Sequence, residues 1–129
     1  MNSIFGVGTD IVDISRVKKI FSKNKKFKYR IFSSEEIKYC ESKSNKIAFY
    51  SKRYAAKEAF SKALGTGITK GICFNEISII NNQNGTPFIE LLGKTKTISK
   101  NIIKKKSRIH LSLSDEKKYA LAMVVISYT

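Results

Sequence analysis

The sequence has few of the residues that build disulfides, zinc sites and rigid kinks. It contains two cysteines, one histidine, one proline and no tryptophan. Cys40 and Cys73 lie far apart without a CxxC motif, a usage typical of reduced thiols in a cytosolic protein. His110 is the only histidine, so neither a histidine-based metal site nor a catalytic triad is indicated.

A long apolar run is also missing. The longest strongly apolar segment, residues 119–126, falls far short of the ~20 residues that span a bilayer. The first ten residues have neither the basic region nor the apolar core of a signal peptide. We find no repeat or linker, so we expect one domain over residues 1–129, located in the cytoplasm and without a membrane partner.

Acidic residues are scarce beside basic ones. The chain has 25 Lys and Arg against 10 Asp and Glu, a formal net charge of +15. A surface this basic favours a polyanionic partner through long-range electrostatic attraction. Charge alone does not choose among nucleic acid, an anionic membrane and an acidic protein.

The apolar pattern predicts strands and helices in alternation. One strand is predicted at residues 4–10, and a hairpin runs from Glu76 to Leu92 about Asn84-Gly85, a pair typical of a type I′ turn. A second hairpin joins residues 108–114 to residues 119–127.

Helical spacing predicts four helices. The first helix begins after Asp13, its predicted N-cap, and the second begins at a capping box formed by Ser33 and Glu36. The third occupies residues 46–64 and the fourth residues 94–103. Gly65 is the predicted left-handed cap of the long helix. We therefore expect an α+β fold, with one long helix and several short helices packed on a small, mainly antiparallel sheet.

The first candidate motif is GVGTD at residues 6–10. Period-two alternation places Gly6, Gly8 and Asp10 on one face of the strand. Two interpretations are open: the glycines let a ligand approach the backbone, or they relieve crowding against a helix. No GxGxxG fingerprint follows, so a dinucleotide site is not indicated.

The second motif lies near the end of the long helix. Glu58 and Lys62 share one helix face, and a GTG turn follows the helix. Ala55 and Ala59 have small side chains, which leave the surroundings of Glu58 and Lys62 uncrowded. An ordinary surface pair, worth ~0.3–0.5 kcal/mol, would have the same spacing.

The third motif is an alternating strand face formed by Arg108, His110, Ser112 and Ser114. These side chains suit phosphate oxygens, although the solvated face of an edge strand would also look like this. Asp10 and Glu58 are oxygen ligands on separate elements, a donor set that Mg²⁺ uses beside substrate phosphates. The residues alone thus indicate metal-assisted phosphoryl chemistry as one hypothesis.

Together these segments resemble the holo-acyl-carrier-protein synthases, the short bacterial type of the 4′-phosphopantetheinyl transferase superfamily. The resemblance is carried by GVGTDIVDISRV at 6–17, RYAAKEAFSKALGTGI at 53–68, NGTP at 84–87 and HLSLSDEKKYALAMVVI at 110–126. Its most specific part is KEA, with a lysine four residues after the glutamate and GTG beyond. Asp115-Glu116 departs from relatives that have His followed by Thr there.

The resemblance implies a role for each matched residue. Asp10 and Glu58 would bind Mg²⁺, and Glu58 and Lys62 would be catalytic. The phosphates of the substrate coenzyme A would be surrounded by Arg53, Lys57, Lys62, Gly65, Thr66, Gly67, His110 and Ser112. Arg16 matches a position that grips the acidic helix of the carrier protein, and Asn84, Gly85 and Pro87 match a hairpin near the adenine.

The resemblance also implies a reaction and an assembly. A serine hydroxyl of apo-acyl carrier protein attacks the phosphorus attached to pantetheine, adenosine 3′,5′-bisphosphate leaves, and the product supports fatty acid biosynthesis. Lys62 would stabilise the departing phosphate, and the serine proton would go to Glu58 or to a metal-bound water. A homotrimer with active sites between neighbouring subunits is implied.

Two other hypotheses compete with this one. A nucleic-acid-binding module would explain the charge and the aromatic residues among the lysines at 25–32, but we find no recognisable motif for it and expect no nucleic-acid partner. An adaptor that captures coenzyme A without turnover would make Asp10 and Glu58 dispensable.

Overall fold

The computed structural model describes residues 3–67 and 71–129. In that part of the chain the strands are β1 (Ile4–Asp13), β2 (Ile77–Asn81), β3 (Pro87–Leu91), β4 (Ser107–Asp115) and β5 (Tyr119–Tyr128). The helices are α1 (Ile14–Lys23), α2 (Phe27–Ile31), α3 (Ser34–Glu41), α4 (Lys46–Leu64) and α5 (Gly93–Ile103), with a 3₁₀ turn at Phe74–Glu76. Within the described ranges, no helix is long and apolar enough to cross a membrane.

The strands form two antiparallel sheets. One has the order β1-β5-β4, and the other pairs β2 with β3. The α+β class is confirmed, but the expected small sheet is divided in two, since among the described strands the β2-β3 pair forms no hydrogen-bonded ladder with β1, β5 or β4.

Most predicted bounds are confirmed to within a few residues. The long helix begins at Lys46 and ends at Leu64, and Gly65 caps it with a φ of 88°. β1 is longer than predicted, since its pairing with β5 continues as far as Asp13 opposite Tyr119. Asp13 still caps α1, and its side chain accepts a hydrogen bond from the Ser15 amide.

The turn between β2 and β3 is not the predicted type I′ turn. A type I′ turn needs positive φ at both central residues. Gly85 has a φ of 80°, but among the described non-glycine residues only Lys104 has a positive φ, so Asn84 does not. The Gly85 amide donates to the Asn82 carbonyl, which closes a turn before the left-handed glycine.

The backbone of α4 lies directly on β1. A Cβ atom at Gly6 would lie 1.9 Å from the Ala63 carbonyl oxygen, and one at Gly8 would lie 1.9 Å from that of Ala59. The glycines therefore relieve crowding against a helix, and the alternative that they admit a ligand is wrong. This close approach brings the residues of α4 beside those of β1.

A second apolar cluster lies under α2 and α3. Phe32 and Tyr50 are buried, and Phe21 and Phe27 pack against them with ring centroids 4.8 to 6.3 Å apart. Among the aromatic residues at 25–32, only Tyr29 is exposed, Phe27 is half-buried and Phe32 is buried. The aromatic side chains that motivated the nucleic-acid hypothesis thus serve mainly as core.

Candidate active site

Three predicted residues converge where β1 meets α4. The Lys62 ammonium donates to the Thr9 carbonyl at 2.9 Å and lies 3.2 Å from a carboxylate oxygen of Asp10. Glu58, one turn earlier on α4, is half-buried beside them. The ion pair of Lys62 with Asp10 therefore joins α4 to β1. Lys62 is not simply the partner of Glu58 in an ordinary pair on the helix surface.

The surroundings of Glu58 favour its protonated form. Burial, followed by the nearby Asp10 charge, raises the pKa of the Glu58 carboxyl, while a hydrogen bond from Tyr54 and the Lys62 charge oppose that shift. Burial and the Glu58 charge in turn raise the pKa of Tyr54 to about 12. Two carboxylates held this close repel each other, so a cation between them would be stabilising.

Lys57 lies in the interior, not among the phosphate-binding candidates. Its side chain is fully buried, and the ammonium donates to Glu36 at 2.6 Å, to the Phe74 carbonyl at 2.8 Å and to the Ile77 carbonyl. All three N–H donors are taken, so the expected contact of Lys57 with a phosphate is wrong. Burial lowers the pKa of this lysine to about 8.

We expect Lys57→Met to destabilise the fold by about 3–5 kcal/mol, because Glu36 would remain as a buried charge without its partner. Urea unfolding measures the change. Lys62→Met on the same helix is the matched control, and its exposed side chain predicts a change within about 0.5 kcal/mol. Equal losses in the two variants would contradict a structural role specific to Lys57.

Arg53 is also directed away from the cluster. It is buried, stacks on Tyr39, and donates to the Asn81 side chain at 2.8 Å. Asn81 in turn donates to the Gly85 carbonyl at 2.9 Å. Arg53 therefore supports the hairpin at residues 82–86, and the structure does not bring it to Asp10 and Glu58.

The GTG turn lies directly beyond Lys62. The Ser61 carbonyl accepts hydrogen bonds from the backbone amides of Gly65 at 3.0 Å, Thr66 at 3.2 Å and Gly67 at 3.4 Å. In this conformation the amides cap the helix, and a contact between the turn and phosphate stays a prediction. Ile68, the last residue of the matched segment 53–68, lies outside the described residues.

His110 and Ser112 lie on the opposite face of the three-stranded sheet. Asp10 shares the strand face of Gly6 and Gly8, which is turned toward α4. His110 and Ser112 are exposed on the other face, where a ring nitrogen of His110 lies 2.8 Å from the Ser127 hydroxyl. Within one chain, the cluster around Asp10 and the pair His110 and Ser112 therefore lie on opposite sides of the three-stranded sheet.

Arg16 is exposed on α1, as a docking residue must be. With Lys19, Ile20 and Lys23 it lines a shallow groove of about 370 Å³. Asp115 forms an ion pair with Lys52 at 3.3 Å.

The sequence interpretation missed two residues of this region. Tyr54 lies one turn before Glu58 on the same helix face, so the i, i+4 spacing could have revealed it. Glu36 was recognised only as part of the capping box, which is present. Its contact with Lys57 spans 21 positions, and no local pattern indicates such a contact.

The convergence of Asp10, Glu58 and Lys62 suits phosphoryl transfer, and comparisons with known proteins identify a family of transferases. A model of the 4′-phosphopantetheinyl transferase superfamily matches residues 6–124. A holo-[acyl-carrier-protein] synthase of Pelagibacter ubique is 47% identical over 124 residues, 95% of this chain and 96% of that protein.

Solved structures agree with the sequence match. The holo-[acyl-carrier-protein] synthase of Neisseria meningitidis gives a TM-score of 0.86 at 36% identity, covering 96% of this chain and 98% of its own. That of Bacillus anthracis, in complex with CoA (3′,5′-ADP), gives 0.81 at 32% identity, covering 98% and 99%. The chain belongs to the 4′-phosphopantetheinyl transferase superfamily, and within it to the holo-[acyl-carrier-protein] synthases.

Proposed function

We propose that this chain transfers 4′-phosphopantetheine from coenzyme A to a serine of apo-acyl carrier protein, releasing adenosine 3′,5′-bisphosphate. In this proposal the enzyme works in the cytoplasm, and its product, the holo-acyl carrier protein, supports fatty acid biosynthesis. The observation that carries the proposal is the convergence of Asp10, Glu58 and Lys62, in a chain whose relatives bear the name of that activity.

The residues at this site fit a magnesium ion. Asp10 and Glu58 offer carboxylate oxygens, the donors that Mg²⁺ prefers, and their mutual repulsion favours a cation. The described residues contain no group of three or more histidine, cysteine or acidic side chains that could hold a metal. Two carboxylates suffice where substrate phosphates complete the ligand set. The bound ion would neutralise charge on the pyrophosphate oxygens.

Lys62 acts on the departing phosphate in this proposal. In-line phosphoryl transfer passes through a loose transition state, so positioning and charge neutralisation supply most of the catalysis. The ammonium already lies at the carboxylate of Asp10, with half of its side chain exposed. A short side-chain rotation would carry it from Asp10 to an incoming anion.

We expect Lys62→Ala to lower the catalytic rate constant about a hundredfold and to change coenzyme A affinity far less, since its charge matters most as the leaving group gains charge. Steady-state kinetics with calorimetric titration of coenzyme A separates the two effects. Lys46→Ala, at the exposed start of the same helix, is the control. A defect confined to binding would make Lys62 a ground-state anchor, and no kinetic effect would remove it from the site.

We also propose that the active protein is a homotrimer with sites between neighbouring chains. The outer face of the three-stranded sheet exposes apolar side chains, with Val7 53%, Ile11 61%, Leu121 43% and Met123 43% exposed. Association over this face would hide them, as expected of a homo-oligomer interface. His110 and Ser112 lie on the same face, so a neighbouring chain could bring them to the site built around Asp10.

The docking proposal for the carrier protein rests on Arg16. This residue lies on α1, which follows β1 and its Asp10 directly, and the groove around it carries three cations. An acidic carrier helix bound there would lie beside the reacting phosphate. The basic charge would act through steered encounter before the chemical step.

We expect Arg16→Glu to raise the KM for carrier protein at least about tenfold at low salt, and to leave coenzyme A affinity almost unchanged. Wild-type efficiency should fall steeply with ionic strength, because exposed charges are screened within ~8 Å at physiological salt. Kinetics over a salt series measures both effects, with Lys25→Glu as the exposed control. Equal carrier KM for wild type and Arg16→Glu at low salt would rule out this docking site.

One experiment tests the proposed function as a whole. The purified chain is incubated with coenzyme A, magnesium and an apo-acyl carrier protein, and the carrier is weighed by mass spectrometry. We expect the carrier to gain one phosphopantetheine group on serine. An adaptor without turnover would bind coenzyme A and leave the carrier mass unchanged.

A further inference from the structure

A groove lies between α5, β3 and the start of β4, away from the Asp10–Glu58–Lys62 cluster. Its volume is about 790 Å³, within the ~300–1,000 Å³ usual for small-molecule sites. Among the described residues that line it, none belongs to the Asp10–Glu58–Lys62 cluster, and Arg108 alone shares the strand face of His110 and Ser112. β3 and β4 are edge strands of different sheets. No backbone hydrogen bonds of a shared sheet join these two described strands, so side chains line the gap between them.

The walls of the groove are apolar. They are formed by Phe88, Ile89, Leu91, Ile103 and Ile109. Phe88 is 39% exposed, although aromatic side chains of this size usually find cover in a folded protein. The walls thus suit the body of an apolar ligand.

One polar group within the groove has no partner. Ser99 lies on the buried side of α5 and is 1% exposed, and it lines the groove. Its hydroxyl makes no hydrogen bond with any residue that the structure describes. Buried hydroxyls are nearly always hydrogen-bonded, so an orphaned one beside a cavity points to a ligand that supplies the missing partner.

The rim of the groove is strongly cationic. It carries the side chains of Lys96, Lys100, Lys104, Lys105, Lys106 and Arg108, and among the described residues that line it Glu90 alone is acidic. Lys104 ends α5 in a left-handed conformation with a φ of 68°, which is unusual for a residue other than glycine. An anionic group at the rim would relieve the repulsion among these neighbouring cations.

These features define a ligand with a long apolar body and one anionic head. We propose that the groove binds a free long-chain fatty acid, with the chain between the apolar walls and the carboxylate among the rim lysines, where it would accept a hydrogen bond from the Ser99 hydroxyl. A polyphosphate or an acidic helix would place charge against the apolar walls, where it would be desolvated without a partner. A short carboxylic acid would leave those walls uncovered.

The test is equilibrium dialysis of the purified full chain with radiolabelled hexadecanoate below its micelle concentration. We expect saturable binding at one site per chain, and octanoate should bind at least about tenfold more weakly because it buries less apolar surface. Coenzyme A should not compete, since its proposed site lies elsewhere. Absence of saturable binding, or equal affinity for octanoate, would overturn the proposal.

Two variants locate the head group. The triple charge reversal Lys104→Glu, Lys105→Glu and Lys106→Glu should weaken hexadecanoate binding at least about tenfold. The matched control reverses three exposed lysines outside the groove, Lys18→Glu, Lys25→Glu and Lys26→Glu, with the same change in net charge. Equal weakening in both triple variants would show a non-specific charge effect and overturn the assignment to this rim.

Two further measurements locate the chain of the ligand and exclude a membrane. Leu91→Trp, which fills the groove from a half-buried wall position, should reduce binding about tenfold. Thermal unfolding and circular dichroism confirm that each variant is folded. Co-sedimentation with phosphatidylglycerol vesicles should be weak, and vesicle binding without any binding of monomeric hexadecanoate would assign the surface to a membrane and overturn the proposal.

Discussion

Replacing Asp10 or Glu58 with alanine is expected to abolish phosphopantetheine transfer, with a loss of at least about a hundredfold in the rate constant. In the proposed reaction the two carboxylates hold the cation that neutralises the pyrophosphate, and each comes from a separate rigid element. Neither side chain fills the apolar core, so the fold should persist. Carrier-protein mass spectrometry over time measures the rate.

Magnesium dependence distinguishes a ligand role from a general electrostatic one. Asp10→Asn and Glu58→Gln keep the shape of each side chain and remove its charge, so they should require far more magnesium for the residual rate. Glu35→Ala, an exposed carboxylate on α3, serves as the control and should keep the wild-type rate. Near-normal turnover of either alanine variant at millimolar magnesium would remove the metal assignment.

The elements that sequence reasoning located well are those with local signals. The long helix contains neither glycine nor proline, and a glycine follows its last residue, so both of its ends were predicted. The capping box of Ser33 and Glu36 depends on residues three positions apart, and it is present as predicted. The convergence of Asp10 with Lys62 followed only from the resemblance, because it joins residues 52 positions apart.

The errors come from contacts that no local pattern encodes. Lys57 was assigned to phosphate because it lies in a matched basic segment, yet the helix turns it into the interior, toward Glu36. Arg53 is buried beside Asn81, and its contact with a phosphate stays a prediction. A buried lysine is rare unless it is paired, and its partner lies on another helix. The Asn84-Gly85 pair likewise favoured a type I′ turn, whereas the five residues between the strands allow a wider loop with one left-handed glycine.

Gly8→Ala is expected to damage both fold and activity. The added Cβ would lie 1.9 Å from the Ala59 carbonyl oxygen and 2.8 Å from the Ala63 amide nitrogen, and both are helix backbone atoms that a rotamer change cannot move. β1 and α4 must therefore separate. We expect a loss of about 3 kcal/mol or more, at the upper end for overpacked cores.

The same separation would displace Asp10 from Glu58 and Lys62, because Gly8 lies two residues before Asp10 on the same strand face. Residual transfer should therefore fall at least about tenfold even at a temperature where the variant is fully folded. Gly85→Ala is the control for stability. Its Cβ would meet no atom within 4 Å, so only the strain of its left-handed φ, about 1–2 kcal/mol, should appear. Urea unfolding and transfer kinetics of the two variants decide the matter: if Gly8→Ala loses no more stability than Gly85→Ala, the close contact of α4 with β1 does not hold in solution.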